Sequence, residues 1–494
     1  NINLVFGCGG ERDFKKRILM GDVAQKFCNK IFVTDDNPRN ENPKKIRKSI
    51  IKGIKSRNFF EIGNRAKAIK TAIKNSEPQE IILVAGKGHE MQQDYGNKKI
   101  KFSDKNVIKN IKVTKINYSE KNLNFKINAK IIKKIIPTKK KYEFKGVTIN
   151  SNQVKKGNLF IAIKGKRKDG NDYFLEALKK GANYCVVSQK IKSKNKKLIK
   201  LKNTLKFLNN FASQKRNLSK ASIVAVTGSA GKTTVKTLLG NLLKNYGKTY
   251  FSPKSFNNHF GVPLSLSNLE NEYKFGVFEA GMSNLGEINN LSKLITPDVA
   301  VITNVAEAHM ENFKNLKGIA KAKGEIINNI KENGTIILNR DDRYFDFFCK
   351  LANKRKIKII SFGMSKKSDV YPTNIKNEKF FKISAFNQSI FIKKNNINIM
   401  SIICCIAVLK SLNLDLLKVV KTLNALDSLH GRGKIFKVKR FKTKFNLIDE
   451  SYNANPLSVK NAIINLSKIK KRNSKKYLLL GDMLELGKRS DIYH

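Results

Sequence analysis

The chain has 494 residues, with 99 Lys and Arg against 38 Asp and Glu, a formal net charge of +61. At roughly 150 residues per domain this length predicts about three domains, and a hydrophobic content of 40% is too high for a wholly disordered basic tail. No apolar run reaches the roughly 20 residues that span a bilayer, and six cysteines without a CxxC pair or regular spacing predict a reducing, cytoplasmic setting with no disulfide framework or zinc ribbon.

In chain order, residues 1–112 alternate strand-like runs, INLVF (2–6), IFVT (31–34) and IILVA (81–85), with helix-like stretches, the pattern of a parallel α/β sheet. Residues 113–123 are polar and read as a linker. A smaller α/β region follows over 124–215, containing GVTINSNQVKKGNLFIAIKG. From SIVAVT (222–227) a second series of strands and helices runs to about 425. The remainder, 426–494, is expected to carry strands at FNLID (445–449) and KYLLLG (476–481). LVFGCGGERD (4–13) and LLLGDMLELG (478–487) share a strand-then-glycine-turn form nearly one chain length apart, and both ends read as cut.

TGSAGKTT (227–234) follows a strand and precedes the helical pattern VKTLLGNLLKNYG. That context suits a phosphate-binding loop. Glycines let backbone N–H groups approach phosphate, the helix N-terminus adds positive potential, Lys232 reaches the terminal phosphates and Thr233 can hold Mg²⁺. The longer GxxxxGK[ST] pattern is not met, because Val226 stands at its first glycine; the shorter GxxGKTT form starts at Gly228.

Three further residues sit near predicted strand ends or on a following helix: Glu279 closing FGVFE, His309 in NVAEAHMENF and Lys323 in GIAKAKGEI. In open α/β sheets chemistry collects at the carboxyl ends of strands, and a carboxylate with a neutral imidazole beside a phosphate loop can complete a Mg²⁺ shell. The positive charge is mostly Lys dispersed among Asn and Ile rather than gathered on one arm. It therefore reads as compositional bias rather than a dedicated nucleic-acid surface, while still attracting anionic substrates.

From about residue 124 onward the chain resembles the UDP-N-acetylmuramoyl-tripeptide–D-alanyl-D-alanine ligases of peptidoglycan synthesis, the MurF type. The resemblance is carried by TGSAGKTT, FNNHFGVPLSL (256–266), EAGMSNLGEI (279–288), ITNVAEAHMENF (302–313), AKAKGEI (320–326), LNRDD (338–342), HGRG (430–433), IDESYNANP (448–456) and LGDMLELG (480–487). Residues 1–112 resemble instead the C-terminal domain of the MurE-type tripeptide ligases, through FGCGGERD (6–13), TDDNPR (34–39) and AGKGHE (85–90). The chain thus resembles a piece of a MurE–MurF fusion.

This resemblance implies an α/β Mur ligase architecture: a small N-terminal UDP-substrate domain (124–215), a central P-loop domain (216–425) and a Rossmann-like C-terminal domain (426–494), preceded by a second, partial one (1–112). It implies ATP on Gly228, Ser229, Gly231, Lys232, Thr233 and Thr234, and Mg²⁺ on Thr233, Glu279 and His309, with Lys323 carbamylated into a carboxylate-like ligand. Asn339, Arg432, Asp449 and Tyr452 would contact adenine, ribose or phosphate. Ser151 would lie in the UDP site, and Asn257, Asn258 and His259 near the muramoyl-peptide. For the first segment it implies meso-diaminopimelate, with Arg39 gripping its distal carboxylate in a bidentate pair, Glu90 meeting an amino group, Arg12 a carboxylate, and Asn37 and Gly86 in the flanking motifs. A turn contact in DNP is the other reading of Arg39.

Where the family has Asp-Ser-Arg, this chain has Asn150, Ser151 and Asn152, which removes one cationic contact from the UDP site. The expected reaction is ATP-dependent addition of D-Ala-D-Ala to UDP-MurNAc-tripeptide by a cytoplasmic, monomeric enzyme without nucleic-acid or membrane partners, and the 494-residue piece is expected to bind ATP but ligate poorly. Folylpolyglutamate synthetase and a nucleic-acid-stimulated P-loop NTPase are the alternatives.

Overall fold

In the computed structural model the described residues are all except 1, 12, 57, 77–79, 88–89, 111–117, 137, 139, 166, 309, 375–378, 395–396, 428–430, 441–442, 470–474, 487–489 and 494. The chain divides into two units, Asn1–Tyr118 and Ser119–His494.

In the first unit four parallel strands lie in the order Phe59–Glu61, Lys30–Val33, Ile2–Phe6, Ile81–Val84. All three strands expected there are present. Their apolar residues alternate between the two faces: Phe6, Ile31 and Val33 pack with Ile46 and Ile50, while Val5 and Phe32 pack with Ala68, Ile69 and Ala72. Helices on both faces explain why these strands read as nearly continuous apolar runs. Asn42 and Asn64 cap two of those helices, each accepting a backbone N–H with its side-chain oxygen.

The second unit opens with a helix, Tyr118–Ile135. It takes in residues 118–123, part of the expected linker. The physical reason is that nothing there breaks a helix, so the turn anchored by Ile127, Ile131, Ile132 and Ile135 in the adjoining core propagates backwards. Four parallel strands follow, ordered Leu198–Leu201, Tyr184–Ser188, Leu159–Ile161, Val147–Thr148.

A nine-stranded sheet comes next, in the order 249–251, 275–279, 222–227, 299–302, 335–339, 358–362, 370–374, 380–385, 388–393. Strands up to 370–374 are parallel to their neighbours and the last two pairings are antiparallel. Val224 and Val226 face one apolar core with the helices Lys232–Leu243 and Ile399–Ser411, while Ile223 and Ala225 face the other with Phe278, Ile302 and Leu338. The period of two along this strand thus serves two buried faces. Among the described residues no helix is long and apolar enough to cross a membrane; Ile399–Ser411, an apolar run of 13 residues, is a core helix.

Residues 426–494 hold an antiparallel hairpin, Lys434–Arg440 with Thr443–Asp449, and the helix Pro456–Lys468. The expected strand at FNLID is there. The one expected at KYLLLG (476–481) is not: Tyr477 is 81% and Leu479 93% exposed, with no regular structure. A strand needs a neighbouring edge for its peptide groups, and no described strand pairs with this segment. The repeat inferred between 4–13 and 478–487 is therefore one of sequence and not of observed structure.

Candidate active site

The strand Ser222–Thr227 ends at the centre of the sheet, and the chain turns sharply into the helix Lys232–Leu243. Gly228 has φ +148° and Gly231 φ +81°, conformations that side chains rarely adopt. A Cβ on Gly228 would lie 1.8 Å from Thr303 Oγ1. The loop is pinned from the adjoining strand end: Thr303 Oγ1 donates to Ala230 O at 2.6 Å, Asn304 Oδ1 accepts from Ala230 N at 2.9 Å, and Ser229 Oγ donates to Ala306 O at 2.8 Å. Lys232 Nζ folds back onto Gly228 O at 2.7 Å. Burial lowers its pKa, opposed by Glu279. The helix N-terminus and this lysine thus frame an anion site.

Glu279, 1% exposed at the end of its strand, receives Thr233 Oγ1 at 2.8 Å on Oε2 and Asn257 Nδ2 at 2.9 Å on Oε1. Lys236 Nζ lies 3.7 Å from Oε2. A carboxylate and a hydroxyl are hard oxygen donors of the kind Mg²⁺ takes, and Mg²⁺ completes its shell with water and phosphate oxygens. The oxygen set therefore fits that ion. Among the described residues no group of three or more His, Cys, Asp or Glu could hold a metal by itself. His309 lies outside the described residues.

Lys323 is 2% exposed on the helix Leu316–Gly324. Burial drives its pKa well below the usual lysine range, helped by Lys232 and opposed by Asp342. Asp342 itself is raised by burial while accepting Val305 N at 2.6 Å and Tyr344 N at 2.9 Å. An amine held neutral is a nucleophile, which is what addition to CO₂ requires.

Around this centre, Asn339 Nδ2 donates to Thr303 O at 3.2 Å, the Arg432 guanidinium stacks 4.3 Å over the Tyr452 ring, and the Tyr452 hydroxyl touches Ser255 Oγ. Ser255 Oγ is also 3.5 Å from Thr233 Oγ1. Asp449 spends its carboxylate on Gly431 N at 2.9 Å and Ser451 Oγ at 2.6 Å, closing the loop that carries Arg432. Asn258 Oδ1 accepts Gly261 N at 2.9 Å and so starts the helix Gly261–Ser267; His259 packs 3.9 Å from the Phe260 ring. Close by is a cleft of about 580 Å³ lined by Thr148, Asn152, Gln153, Lys155, Tyr250 and Phe256.

In the first unit the loops after three strands converge. Lys87 Nζ, fully buried, donates to Asn37 Oδ1 at 2.7 Å and Glu90 Oε2 at 2.9 Å, and Asn37 Nδ2 donates to the same Glu90 oxygen at 2.8 Å. Gly86, at φ +117°, lets Asp36 approach; a Cβ there would sit 2.8 Å from Asp36 Oδ2. Arg39 Nη1 donates to Gly10 O at 2.9 Å.

With this geometry in hand, likeness to known proteins is informative. Residues 226–404 match the Mur ligase middle domain, 143–216 the Mur ligase family catalytic domain, and 1–88 the Mur ligase glutamate ligase domain. The UDP-N-acetylmuramoyl-tripeptide–D-alanyl-D-alanine ligase of Buchnera aphidicola subsp. Baizongia pistaciae is 34% identical over 355 residues, covering 70% of this chain and 75% of its own length. The chain belongs to this ligase family.

Crystal structures agree. MurF from Acinetobacter baumannii superposes with a TM-score of 0.66 at 27% identity, covering 74% of this chain and 81% of its own. The MurF ligase of Thermotoga maritima in complex with ADP gives 0.61 at 30% identity, covering 70% and 80%. The fold is that of a Mur ligase, as expected. A second kind of relative, the UDP-N-acetylmuramoyl-L-alanyl-D-glutamate–2,6-diaminopimelate ligase of Rickettsia montanensis, is 53% identical over 108 residues, 22% of each protein.

Within the family frame, Gly228, Ser229, Gly231, Lys232, Thr233, Glu279 and Asn257 converge on one centre, and Thr234 lies in the first turn of its helix. Asn37, Gly86, Glu90 and Arg39 converge on a second centre, whose Arg12 lies outside the described residues. Ser151 is spent internally: it is 7% exposed and donates to Glu176 Oε2 at 2.9 Å. Asn152 accepts Lys180 Nζ at 2.8 Å. Sequence reasoning missed Thr303, Asn304, Asp342, Ser255 and Lys236. The first three lie inside motifs already singled out, ITNVAEAHMENF and LNRDD, so a signal existed for them; Ser255 and Lys236 gave none.

Proposed function

We propose that this chain carries the site for the reaction for which its relatives are named, ATP-dependent addition of D-Ala-D-Ala to UDP-MurNAc-tripeptide. The observation that carries the reading is the phosphate loop with Lys232 facing a buried carboxylate, Glu279, held by Thr233 and Asn257. A carboxylate is a poor electrophile at neutral pH, so it must be activated. The γ-phosphoryl group of ATP passes to the terminal carboxylate of the tripeptide, ADP leaves, the amine of D-Ala-D-Ala attacks the acyl phosphate, and phosphate departs. Lys232 neutralises the transferring phosphoryl group and the loop amides orient it, which is the protein's main part in phosphoryl transfer. Thr233 and Glu279, with His309 by family resemblance, would hold Mg²⁺, whose contribution is charge neutralisation on the phosphates. Lys323, with its depressed pKa, is suited to carbamylation.

The cleft lined by Thr148, Tyr250 and Phe256 is suited to the sugar nucleotide, with the Asn257–His259 loop beside it. The converging loops of the first unit are suited to a diaminopimelate-like amino acid: Glu90 would meet its amino group and Arg39 its distal carboxylate. The reaction belongs in the cytoplasm, where its nucleotide substrates are made.

The Lys232→Ala variant tests the central assignment: substrate-dependent phosphate release should fall by at least about 100-fold, the usual cost of losing a transition-state charge contact. Turnover near the unsubstituted level would sink it. Folate with glutamate, or nucleic acid, in place of the muramoyl substrate should elicit no phosphate release.

A further inference from the structure

Lys236 lies one helical turn beyond Lys232 on the helix Lys232–Leu243 and is 1% exposed. A buried ammonium is costly unless paired and hydrogen-bonded, and two partners surround this one. Its Nζ donates to the carbonyl oxygen of Lys254 and lies 3.7 Å from Glu279 Oε2. The two partners belong to different parts of the proposed site. Glu279 ends a central strand and receives Thr233 of the phosphate loop. Lys254, held at φ +47°, lies in the 252–259 stretch that presents Asn257, whose amide also reaches Glu279. The chain therefore closes a ring: phosphate-loop helix, Lys236, Lys254 carbonyl, Asn257, Glu279, Thr233 and back to the helix. Lys236 bridges both sides of that ring.

We propose that Lys236 is a positioning residue that ties the carboxylate of the nucleotide–cation site to the loop beside the sugar-nucleotide cleft, so that occupation of one site tightens the other. The inference rests on the reading given under Proposed function. Binding of nucleotide with its cation draws on Thr233 and Glu279; through Lys236 the same contacts fix the backbone at Lys254 and hence the presentation of Asn257. Such coupling is reciprocal by thermodynamic necessity. Lys236 touches neither ligand in this scheme, so its loss should spare each affinity measured alone.

The test is calorimetric titration of the full chain with a non-hydrolysable ATP analogue and Mg²⁺, with and without saturating UDP-MurNAc-tripeptide. The expected result is at least about fivefold tighter nucleotide binding when the sugar nucleotide is present, falling below about twofold in Lys236→Met, with the separate affinities changed less than about threefold. Lys236→Arg, which keeps the charge and the donors, should retain most of the coupling. If Lys236→Met does not fold, as judged by its thermal transition, Lys236→Gln supplies the same measurement. Absence of coupling in the unsubstituted chain, or full coupling in a folded Met or Gln variant, overturns the inference. Failure of the unsubstituted chain to bind either ligand overturns the underlying functional reading instead.

Discussion

At the scale of single residues, the buried lysines set the site's chemistry and one of them sets a pH dependence. Lys215, 1% exposed, has its pKa lowered to about 8 by burial, opposed by Glu270, and reaches Asn128 Oδ1 at 3.4 Å. The folded chain therefore binds fewer protons here than the unfolded chain between about pH 8 and the usual lysine value, and stability should rise with pH across that window. The cost of burying the charge is fully present below pH 8 and relieved above it. Lys215→Met should remove this rise and stabilise the protein at pH 7 by about 1–3 kcal/mol, less than the full shift implies because the substitution leaves Glu270 without its partner. Urea unfolding of both proteins at pH 7, 8 and 9.5 checks it; an identical pH slope in the variant would contradict it.

At the scale of elements, the phosphate loop makes a graded prediction about its two glycines. Gly228→Ala meets both a φ of +148° and a Cβ position 1.8 Å from Thr303 Oγ1, and Thr303 is the residue that pins Ala230. Gly231→Ala meets only the conformational cost, since nothing lies within 4 Å of its Cβ position. That cost is about 1–2 kcal/mol, so Gly231→Ala should weaken nucleotide binding by roughly tenfold and Gly228→Ala by considerably more. Equal losses in the two variants, measured by ATP-analogue titration, would refute this account of the loop.

The strand-to-loop-to-helix order was legible because strand, glycines and helix obey local rules. The KYLLLG segment was misread because an apolar run specifies a strand only when a neighbouring edge exists, which a local pattern does not report. Lys236 was invisible for a related reason. In a chain with 99 Lys and Arg a single lysine carries no signal, and only the fold reveals that this one is buried between a carboxylate and a carbonyl. Asn258 and Asp449 stand out in the sequence as candidate ligand contacts; in the fold Asn258 accepts a backbone amide at a helix start, and Asp449 accepts a loop amide and the Ser451 hydroxyl.

At the scale of the whole molecule, the chain comprises two units with separate sheets. In the first, Arg65 holds Asp104 through two 2.8 Å hydrogen bonds with its guanidinium fully buried. Asp104→Ala leaves that charge uncompensated and should cost this unit about 3–5 kcal/mol, while the nucleotide affinity of the second unit stays unchanged. A scanning calorimetry trace in which only one transition moves is the expected outcome.

The net charge of +61 favours encounter with anionic substrates and does not specify the reaction. The most direct test of the central claim is phosphate release from ATP by the unsubstituted chain, measured with UDP-MurNAc-tripeptide and D-Ala-D-Ala supplied together, separately and not at all. The account predicts release that requires UDP-MurNAc-tripeptide and D-Ala-D-Ala together; release indifferent to the sugar nucleotide, or driven by folate or nucleic acid, would contradict it.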